Sequence, residues 1–219
     1  MKISLKKSPD RGPIPKPTIS RLCKIYRMLE DIGKDDQETI SSKEIGKRIG
    51  AGSHTIRKDI GYLGEKGTSG AGYNASKLRA QIAERFGFDI EKRACIVGLG
   101  RLGTAIMNYE KILNQNFRIV AGFDSSINKL ETIRTDIPVY PTYEISDVVK
   151  RENIKLAVIT TPVDAAEKVC RHLIDGGVQG IINFSPKILH PPSDMVHINN
   201  IDLVDEFRFL SAQYTLDQK

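Results

Sequence analysis

Three glycines and one aspartate have the spacing of a dinucleotide site. Gly98, Gly100 and Gly103 form a G-x-G-x-x-G pattern directly after the apolar run 93–97, and Asp124 ends the next apolar run. After a strand, the first glycine permits a tight turn, the second lets backbone amides approach a pyrophosphate, and the third lets the following helix pack closely. A carboxylate on the second strand accepts hydrogen bonds from the adenosine ribose and repels a 2′-phosphate, which favours NAD(H) over NADP(H). An ordinary loop aspartate is the alternative reading of Asp124.

The elements that must position these residues alternate between strand and helix. After the run 117–123, further apolar strands are predicted at 137–140, 155–160 and 180–183, with a helix over 164–174. This order predicts a Rossmann-like, doubly wound and mostly parallel sheet, in which ligands bind at the carboxyl ends of the strands. The residues expected at the cofactor are Gly98, Leu99, Gly100, Arg101, Leu102, Gly103, Asp124, Thr160, Thr161, Pro162 and Phe184.

The nearest enzymatic alternative is a small NAD-dependent oxidoreductase whose basic amino-terminal domain is incidental. Hydride transfer needs an acid or base beside the substrate, and usually a substrate domain. The candidates His172, His190 and His197 lack recognisable carboxylate partners in the sequence. We therefore predict no catalytic residue, no metal ligand and no enzyme. A phosphate-bearing ligand such as an acyl-CoA is a third reading, because glycine loops bind phosphates generally.

Charge is distributed unevenly along the 219 residues, whose formal net charge is +6. Residues 1–80 contain 17 Lys+Arg and 9 Asp+Glu (net +8), whereas residues 81–219 contain 16 and 18 (net −2). A basic domain joined to a nearly neutral one is typical of a DNA-binding protein with a second function. A basic helical bundle with solvated charges would show the same asymmetry.

Helical periodicity divides the basic third into a helix-turn-helix followed by a wing. After a proline-rich tail, one amphipathic helix runs through residues 22–32 and ends near Gly33. A second begins at Ser41, which with Glu44 has capping-box spacing, and a third begins near Ser53. Glycines 64 to 72 predict a β-hairpin wing. The third helix would enter the major groove, and the expected DNA contacts are Ser53, His54, Arg57, Lys58, Lys66 and Gly70.

The remaining features concern the compartment and the carboxyl terminus. Three widely spaced cysteines and no long apolar run predict a cytoplasmic protein without disulfides. From Asp202 to Tyr214, an apolar stripe repeats at helical spacing. That stripe must be covered, either by the rest of its own domain or by a second subunit.

The order of these parts resembles the Rex family of redox-sensing repressors over nearly the whole chain. The matching segments are 20–22, 56–59, 67–73, 98–103, 183–186 and 200–202. The resemblance implies a homodimer with a swapped carboxyl-terminal helix, which binds palindromic operator DNA and is released by NADH. It also implies that Arg21 contacts DNA. One departure is Ser69, where the family wing often has arginine.

The resemblance further implies a switching network of Arg27, Tyr109 and Asp202, with Tyr109 also at the cofactor. An aspartate can bind either a tyrosine hydroxyl or a guanidinium, so cofactor occupancy could decide which partner it keeps. The expected boundaries are a winged helix over 1–76, a linking helix and connector over 77–92, a Rossmann domain over 93–200 and a dimerisation helix over 201–219.

Overall fold

The computed structural model describes residues 13–32, 38–65, 67–68, 71–109 and 116–218. The chain separates into two compact units, Met1–Asp89 and Ile90–Lys219. In the described residues, no helix is both long and apolar enough to cross a membrane.

The first unit packs four helices and a small sheet around one apolar core, which contains side chains from all four helices. A two-residue strand before the second helix pairs antiparallel with a two-residue strand after the third, with Ile40 opposite Tyr73. The elements are α1 (Lys16–Asp31), β1 (Thr39–Ile40), α2 (Ser42–Ile49), α3 (Ser53–Gly61), β2 (Tyr73–Asn74) and α4 (Ala75–Phe86).

Two ends of these helices differ from the expectation. Helix α1 begins at Lys16, inside the proline-rich tail, because a proline in the first turn lacks only an N–H that has no helical partner there. The predicted stop at Gly33 lies outside the described residues.

The hydroxyl of Ser41 caps α2 by accepting from the Glu44 amide at 3.1 Å, but the Glu44 carboxylate pairs with Arg48 instead of reaching back. The expected linking helix, α4, buries Leu78 and Ile82 in the core of the first unit.

The second unit is a six-stranded parallel sheet with helices on both faces, which confirms the predicted α/β fold class. The strand order β5-β4-β3-β6-β7-β8 reverses between β3 and β6, the arrangement that binds dinucleotides at the reversal point. Its strands are β3 (Lys92–Val97), β4 (Phe117–Asp124), β5 (Val139–Pro141), β6 (Leu156–Ile159), β7 (Gly180–Asn183) and β8 (His197–Asn200).

Two layers of helices cover this sheet. On one face a short helix after the glycine loop packs over Ile96 and Ile119 of β3 and β4. On the other face two helices pack over Cys95, Val97 and Ile159. The helices are α5 (Arg101–Met107), α6 (Ile127–Thr132), α7 (Ile145–Arg151), α8 (Val163–Gly176) and α9 (Leu203–Leu216). No side chain of α9 is buried in the single chain.

Candidate dinucleotide site and nucleic-acid interface

The glycine loop joins β3 to α5 through contacts that exclude side chains at two positions. Gly98 has φ +96°, and a Cβ there would lie 2.8 Å from the Thr160 carbonyl oxygen. A Cβ on Gly103 would collide with the Gly98 carbonyl oxygen. Around Gly100, by contrast, a Cβ would meet no atom within 4 Å. The loop therefore packs tightly against the sheet and leaves open space at its middle glycine, where a pyrophosphate could approach.

Thr160, at the carboxyl end of β6, holds this loop in place. Its hydroxyl lies 2.6 Å from the Gly98 carbonyl oxygen and 3.1 Å from the Val97 carbonyl oxygen. It also lies 2.7 Å from where a Cβ on Gly103 would be. From the end of β6, the Thr160 hydroxyl thus donates hydrogen bonds to the glycine loop and holds it in position.

Asp124, at the end of β4, is buried with both carboxylate oxygens bonded. Oδ2 accepts from the Leu99 amide at 2.8 Å and from Lys129 Nζ at 3.1 Å, and Oδ1 accepts from the Ser126 amide at 2.9 Å. Burial raises the pKa of the Asp124 carboxyl, but these hydrogen bonds outweigh it, so the pKa lies below its ordinary value. The carboxylate is therefore ionised at neutral pH and fixed at the glycine loop.

A cavity of about 650 Å³ opens beside these groups, between α5 and α6. Its lining includes two cationic side chains, Arg101 and Lys129, and residues at the ends of both helices. Its lining residues are Leu99, Gly100, Arg101, Thr104, Ala105, Asn108, Lys129, Thr132 and Ile133.

Most of the other residues predicted at the cofactor follow the carboxyl ends of β3, β6 and β7, whereas Tyr109 follows the carboxyl end of α5. Arg101 and Leu102 are exposed on the first turn of α5, and Tyr109 is about half exposed just after α5. Thr161 is buried, and its hydroxyl has no hydrogen-bond partner among the described residues. Two more complete this edge: Pro162 is exposed before α8, and Phe184 is half-buried after β7.

A hydrogen-bond network fixes the loop between β7 and β8 at the same edge. Asn183 Nδ2 donates to Asn200 Oδ1 at 2.8 Å and to the Lys187 carbonyl at 2.7 Å. Asn200 in turn accepts from the Leu189 amide and donates to the Leu189 carbonyl, both at 3.0 Å. Segments 183–186 and 200–202, which matched the Rex family, therefore include a structural pair of asparagines.

The first unit presents a helix-turn-helix made of α2 and α3. Gly50 ends α2 in the left-handed region at φ +74°, and the Ala51 amide donates to the Gly46 carbonyl at 2.8 Å. A side chain on Gly46 would collide with the Ala51 carbonyl oxygen. Glycine at 46 and 50 thus allows the sharp turn between the two helices.

Helix α3 buries one face and exposes a basic one. Ile56, Asp59 and Ile60 are buried, whereas His54, Arg57 and Lys58 are exposed and Ser53 is half-buried at the first turn. Arg57 Nη1 donates to Ser42 Oγ at 3.2 Å, which orients its guanidinium across the start of α2. The three exposed residues are among those predicted to contact DNA, and their side chains are of types that bind base edges or phosphates.

An ion pair joins α1 to α3 beneath this face. Arg21 donates from Nε to Asp59 Oδ2 at 2.5 Å and from Nη2 to Asp59 Oδ1 at 2.9 Å, and Thr18 Oγ1 donates to Oδ1 at 2.9 Å. The Asp59 side chain is 2% exposed and that of Arg21 is 28% exposed. The guanidinium predicted to contact DNA is thus bonded to α3. The pair was not predicted, although a carboxylate between the core residues Ile56 and Ile60 indicates that Asp59 needs a buried partner.

The wing is anchored at its base. The Glu65 carboxylate accepts from Lys77 Nζ at 3.0 Å and from Gln81 Nε2 at 2.7 Å, both on α4. Thr68 and Gly72 form a single antiparallel bridge, after which β2 pairs with β1. Strand β1 was not predicted. Lys66 and Gly70, the predicted wing contacts, and the departure at Ser69 lie outside the described residues.

The three residues predicted to form the switching network belong to separate elements. Arg27 is exposed on α1, and Tyr109 follows α5. Asp202 is the N-cap of α9, where its Oδ1 accepts from the Val204 amide at 2.8 Å. The Asp202 carboxylate has an oxygen left for a second partner.

The cysteines offer little thiol chemistry. Cys95 and Cys170 are buried and Cys23 is half-buried, and burial raises the pKa of all three thiols. The reactive thiolate is therefore disfavoured at each position.

Two known protein families match separate parts of the chain. Residues 13–60 match the family "Putative DNA-binding protein N-terminus", and residues 89–187 match the family "CoA binding domain". The redox-sensing transcriptional repressor Rex of Natranaerobius thermophilus is 36% identical over 200 residues, covering 91% of each chain. Rex of Desulforamulus reducens is 33% identical and covers 94% of this chain and 98% of its own. The chain belongs to the Rex family.

Solved structures of a Rex-family repressor, RSP, share the fold of the whole chain. RSP in complex with β-NAD⁺ and operator DNA superposes with a TM-score of 0.86 at 28% identity, covering 95% of both chains. RSP in complex with β-NADH gives 0.81 at 27% identity, covering 95% of this chain and 97% of RSP. Rex proteins are transcriptional repressors, which sets aside the oxidoreductase reading.

Proposed function

We propose that this chain is a cytoplasmic transcriptional repressor that senses the ratio of NADH to NAD⁺. It binds a palindromic operator as a homodimer, and NADH binding releases it. The observation that carries the proposal is the pairing, in one chain, of an exposed basic α3 with a glycine loop to which a buried carboxylate is bonded. The RSP complexes, which contain operator DNA with β-NAD⁺ in one case and β-NADH in another, support it.

The described residues fit a dinucleotide. The open space at Gly100 would receive the pyrophosphate, and the unpaired amides of the first turn of α5 favour an anion there. Asp124 and Lys129 would meet the adenosine ribose. Thr161, whose buried hydroxyl lacks a partner, would border the nicotinamide half with Pro162 and Phe184. When bound, the nicotinamide ring supplies the two redox states that the protein distinguishes.

DNA binding would use two kinds of contact. Arg57 and Lys58 on α3 would reach base edges or phosphates in the major groove, with Ser53 and His54 near the helix start. The wing, with Lys66 and Gly70, would approach the backbone or the minor groove. Arg21 would act mainly by holding α3 through Asp59.

Helix α9 would form the dimer. Leu203, Phe207, Leu210 and Tyr214 form one stripe, and each is at least 58% exposed in the single chain. A stripe this apolar needs a partner surface, and a second copy related by two-fold symmetry would match a palindromic operator. We propose that α9 is exchanged between subunits.

The switch would operate at the start of α9. Asp202 can keep its cap on Val204 and still bind either the Tyr109 hydroxyl or the Arg27 guanidinium. NADH releases the operator only if it binds the DNA-free form more tightly, because equal affinity for both forms shifts nothing. In this scheme nicotinamide occupancy biases the partner of Asp202.

The test is fluorescence polarisation of a labelled palindromic operator with the full-length protein, titrated separately with NADH, NAD⁺ and CoA. We expect NADH to release the operator at lower concentration than NAD⁺. Release by CoA alone would favour an acyl-CoA sensor, the reading that the match to a CoA binding domain supports. No effect of either nicotinamide nucleotide on a bound operator would refute the redox-sensor proposal.

Two variants separate the functions of the two units. Arg57→Ala should weaken operator binding and, if Arg57 contacts a phosphate, lower the salt slope by about one unit, while NADH affinity is retained. Asp124→Ala should weaken NADH binding and leave operator binding by the free protein intact. An unaltered NADH affinity in Asp124→Ala would remove Asp124 from the site.

A further inference from the structure

Beside the cavity, Asp124 forms an ion pair with Lys129, a residue that the sequence pattern did not predict at the site. Lys129 Nζ lies 3.1 Å from Asp124 Oδ2, and the Lys129 side chain is 50% exposed whereas that of Asp124 is 6% exposed. The ammonium therefore stands on the solvent side of the carboxylate, toward the cavity that both Lys129 and Arg101 line.

The hydrogen bonds of Asp124 limit what it can offer to a ligand. A carboxylate has about four acceptor positions, two on each oxygen. The Leu99 amide and Lys129 use both on Oδ2, and the Ser126 amide uses one on Oδ1. A bidentate grip on both ribose hydroxyls is therefore not available while Lys129 stays in place. Asp124 retains one acceptor position, and Lys129 has ammonium protons left to donate.

We propose that Lys129 is a specificity-determining residue: its ammonium group, and not the Asp124 carboxylate alone, decides how far the site tolerates a phosphate on the adenosine ribose. The inference rests on the proposed function, because it concerns the same nucleotide site. The paired charges of Lys129 and Asp124 sum to zero, and Arg101 adds one positive charge to the lining of the cavity. In this proposal the cations oppose the repulsion of a 2′-phosphate by Asp124, so the strength of the preference for NAD(H) depends on Lys129.

The test compares the dissociation constants of NADH and NADPH, measured by nicotinamide fluorescence on the full-length protein. In Lys129→Met the ratio of the NADPH constant to the NADH constant should rise roughly tenfold, since a charge-assisted hydrogen bond to the phosphate is lost and Asp124 is left uncompensated. Lys129→Arg should restore most of the wild-type ratio, because it keeps the cation. Lys168→Met, which removes an exposed lysine from α8 on the opposite face of the sheet, should leave the ratio unchanged.

A second readout needs no nucleotide. Since the Lys129 hydrogen bond helps to keep the Asp124 pKa below its ordinary value, Lys129→Met should raise that pKa, as followed by NMR titration of the carboxyl group. A merely structural lysine on α6 would weaken NADH and NADPH binding equally.

The outcomes are distinguishable. If the wild type binds NADH and the ratio in Lys129→Met stays within about twofold of wild type, or if both nucleotides weaken equally, the Lys129 inference is wrong and the proposed function stands. If the wild type binds neither nucleotide, the proposed function is wrong, and the inference falls with it.

Discussion

The Arg21–Asp59 pair is a residue-scale contact that joins α3 to α1. Asp59 is buried and receives three donated hydrogen bonds from Thr18 and Arg21. Asp59→Ala should lower the free energy of unfolding by about 3 kcal/mol, because it leaves a partly buried guanidinium without its partner. Operator affinity should also fall, since α3 loses its tether to α1. Urea unfolding and operator titration measure the two effects.

A matched control is Glu44→Ala, which breaks the exposed pair between Glu44 and Arg48 on α2. Exposed pairs at this spacing contribute about 0.5 kcal/mol or less, so stability should hardly change. If the two variants lost the same free energy of unfolding, burial of Asp59 would add nothing to the strength of its ion pair, and the prediction would be wrong.

Asp124 predicts a pH dependence of stability. Its pKa in the folded chain lies below the ordinary value, so the ionised carboxylate stabilises the fold at pH above its unfolded pKa of about 3.9. That contribution is lost as the pH falls through the folded pKa. The difference in urea midpoint between wild type and Asp124→Asn should therefore be constant above about pH 5 and shrink below about pH 4. A difference that grows on acidification would contradict the lowered pKa.

Sequence spacing identified site residues whose role depends on residues nearby in the sequence, but not those whose role depends on distant ones. Asp124 was found because it ends an apolar run at the expected distance from the glycines, and the structure bonds it to the loop through the Leu99 amide. Lys129 was missed because an exposed lysine on a short helix looks like any solvated charge. Arg21 and Asp59 lie 38 residues apart, and periodicity does not show which distant charges pair.

At the scale of the element, Gly103 and Gly100 in the unit of β3, the glycine loop and α5 differ in how much space each leaves for a side chain. Gly103→Ala should cost about 2–3 kcal/mol of stability, because its Cβ would collide with the Gly98 carbonyl and crowd Thr160. Gly100→Ala should leave stability within about 0.5 kcal/mol, since its Cβ meets open space. It should nevertheless weaken NADH binding roughly tenfold by obstructing approach of the pyrophosphate. Thermal unfolding and NADH titration separate the two, and the reverse ranking in stability would contradict the packing.

Elements with an apolar pattern could be predicted, and the shortest and most polar ones could not. The apolar segments of β3, β4, β6 and β7 were identified, the predicted strand over 137–140 overlaps β5 (Val139–Pro141), and their order implied the parallel sheet. Strand β1 has only two residues, so no alternation is visible. Strand β8 reads His-Ile-Asn-Asn and lacks an apolar pattern, because it lies at the sheet edge with only Ile198 packed on the core. Such strands are specified by pairing rather than by local sequence.

For the whole molecule, the exposed α9 is the feature that a single chain does not explain. Its apolar stripe recurs at the spacing of one helical face, and the helix is capped by Asp202, so the sequence specifies a regular helix. None of its side chains is buried within the chain that carries it. A helix of this composition is stabilised mainly by packing rather than by intrinsic propensity. The proposed second copy would supply the missing partner surface and would also match a palindromic operator.

Phe207→Asp, which places a charge in the centre of the α9 stripe, tests this assembly. Phe207 is 73% exposed in the single chain, so the change costs the isolated subunit little and acts on the dimer interface, where an unpaired charge would be buried. We expect the wild type to sediment as a dimer and Phe207→Asp as a monomer. The affinity of the variant for the palindromic operator should fall to its affinity for a single half-site, because a monomer contacts only one half-site at a time. Thr215→Asp, on the polar side of the helix with Arg208 and Ser211, adds the same charge at an exposed position and should remain dimeric. A wild-type monomer, or a Phe207→Asp dimer of unchanged affinity, would mean that α9 is covered by something other than a second subunit.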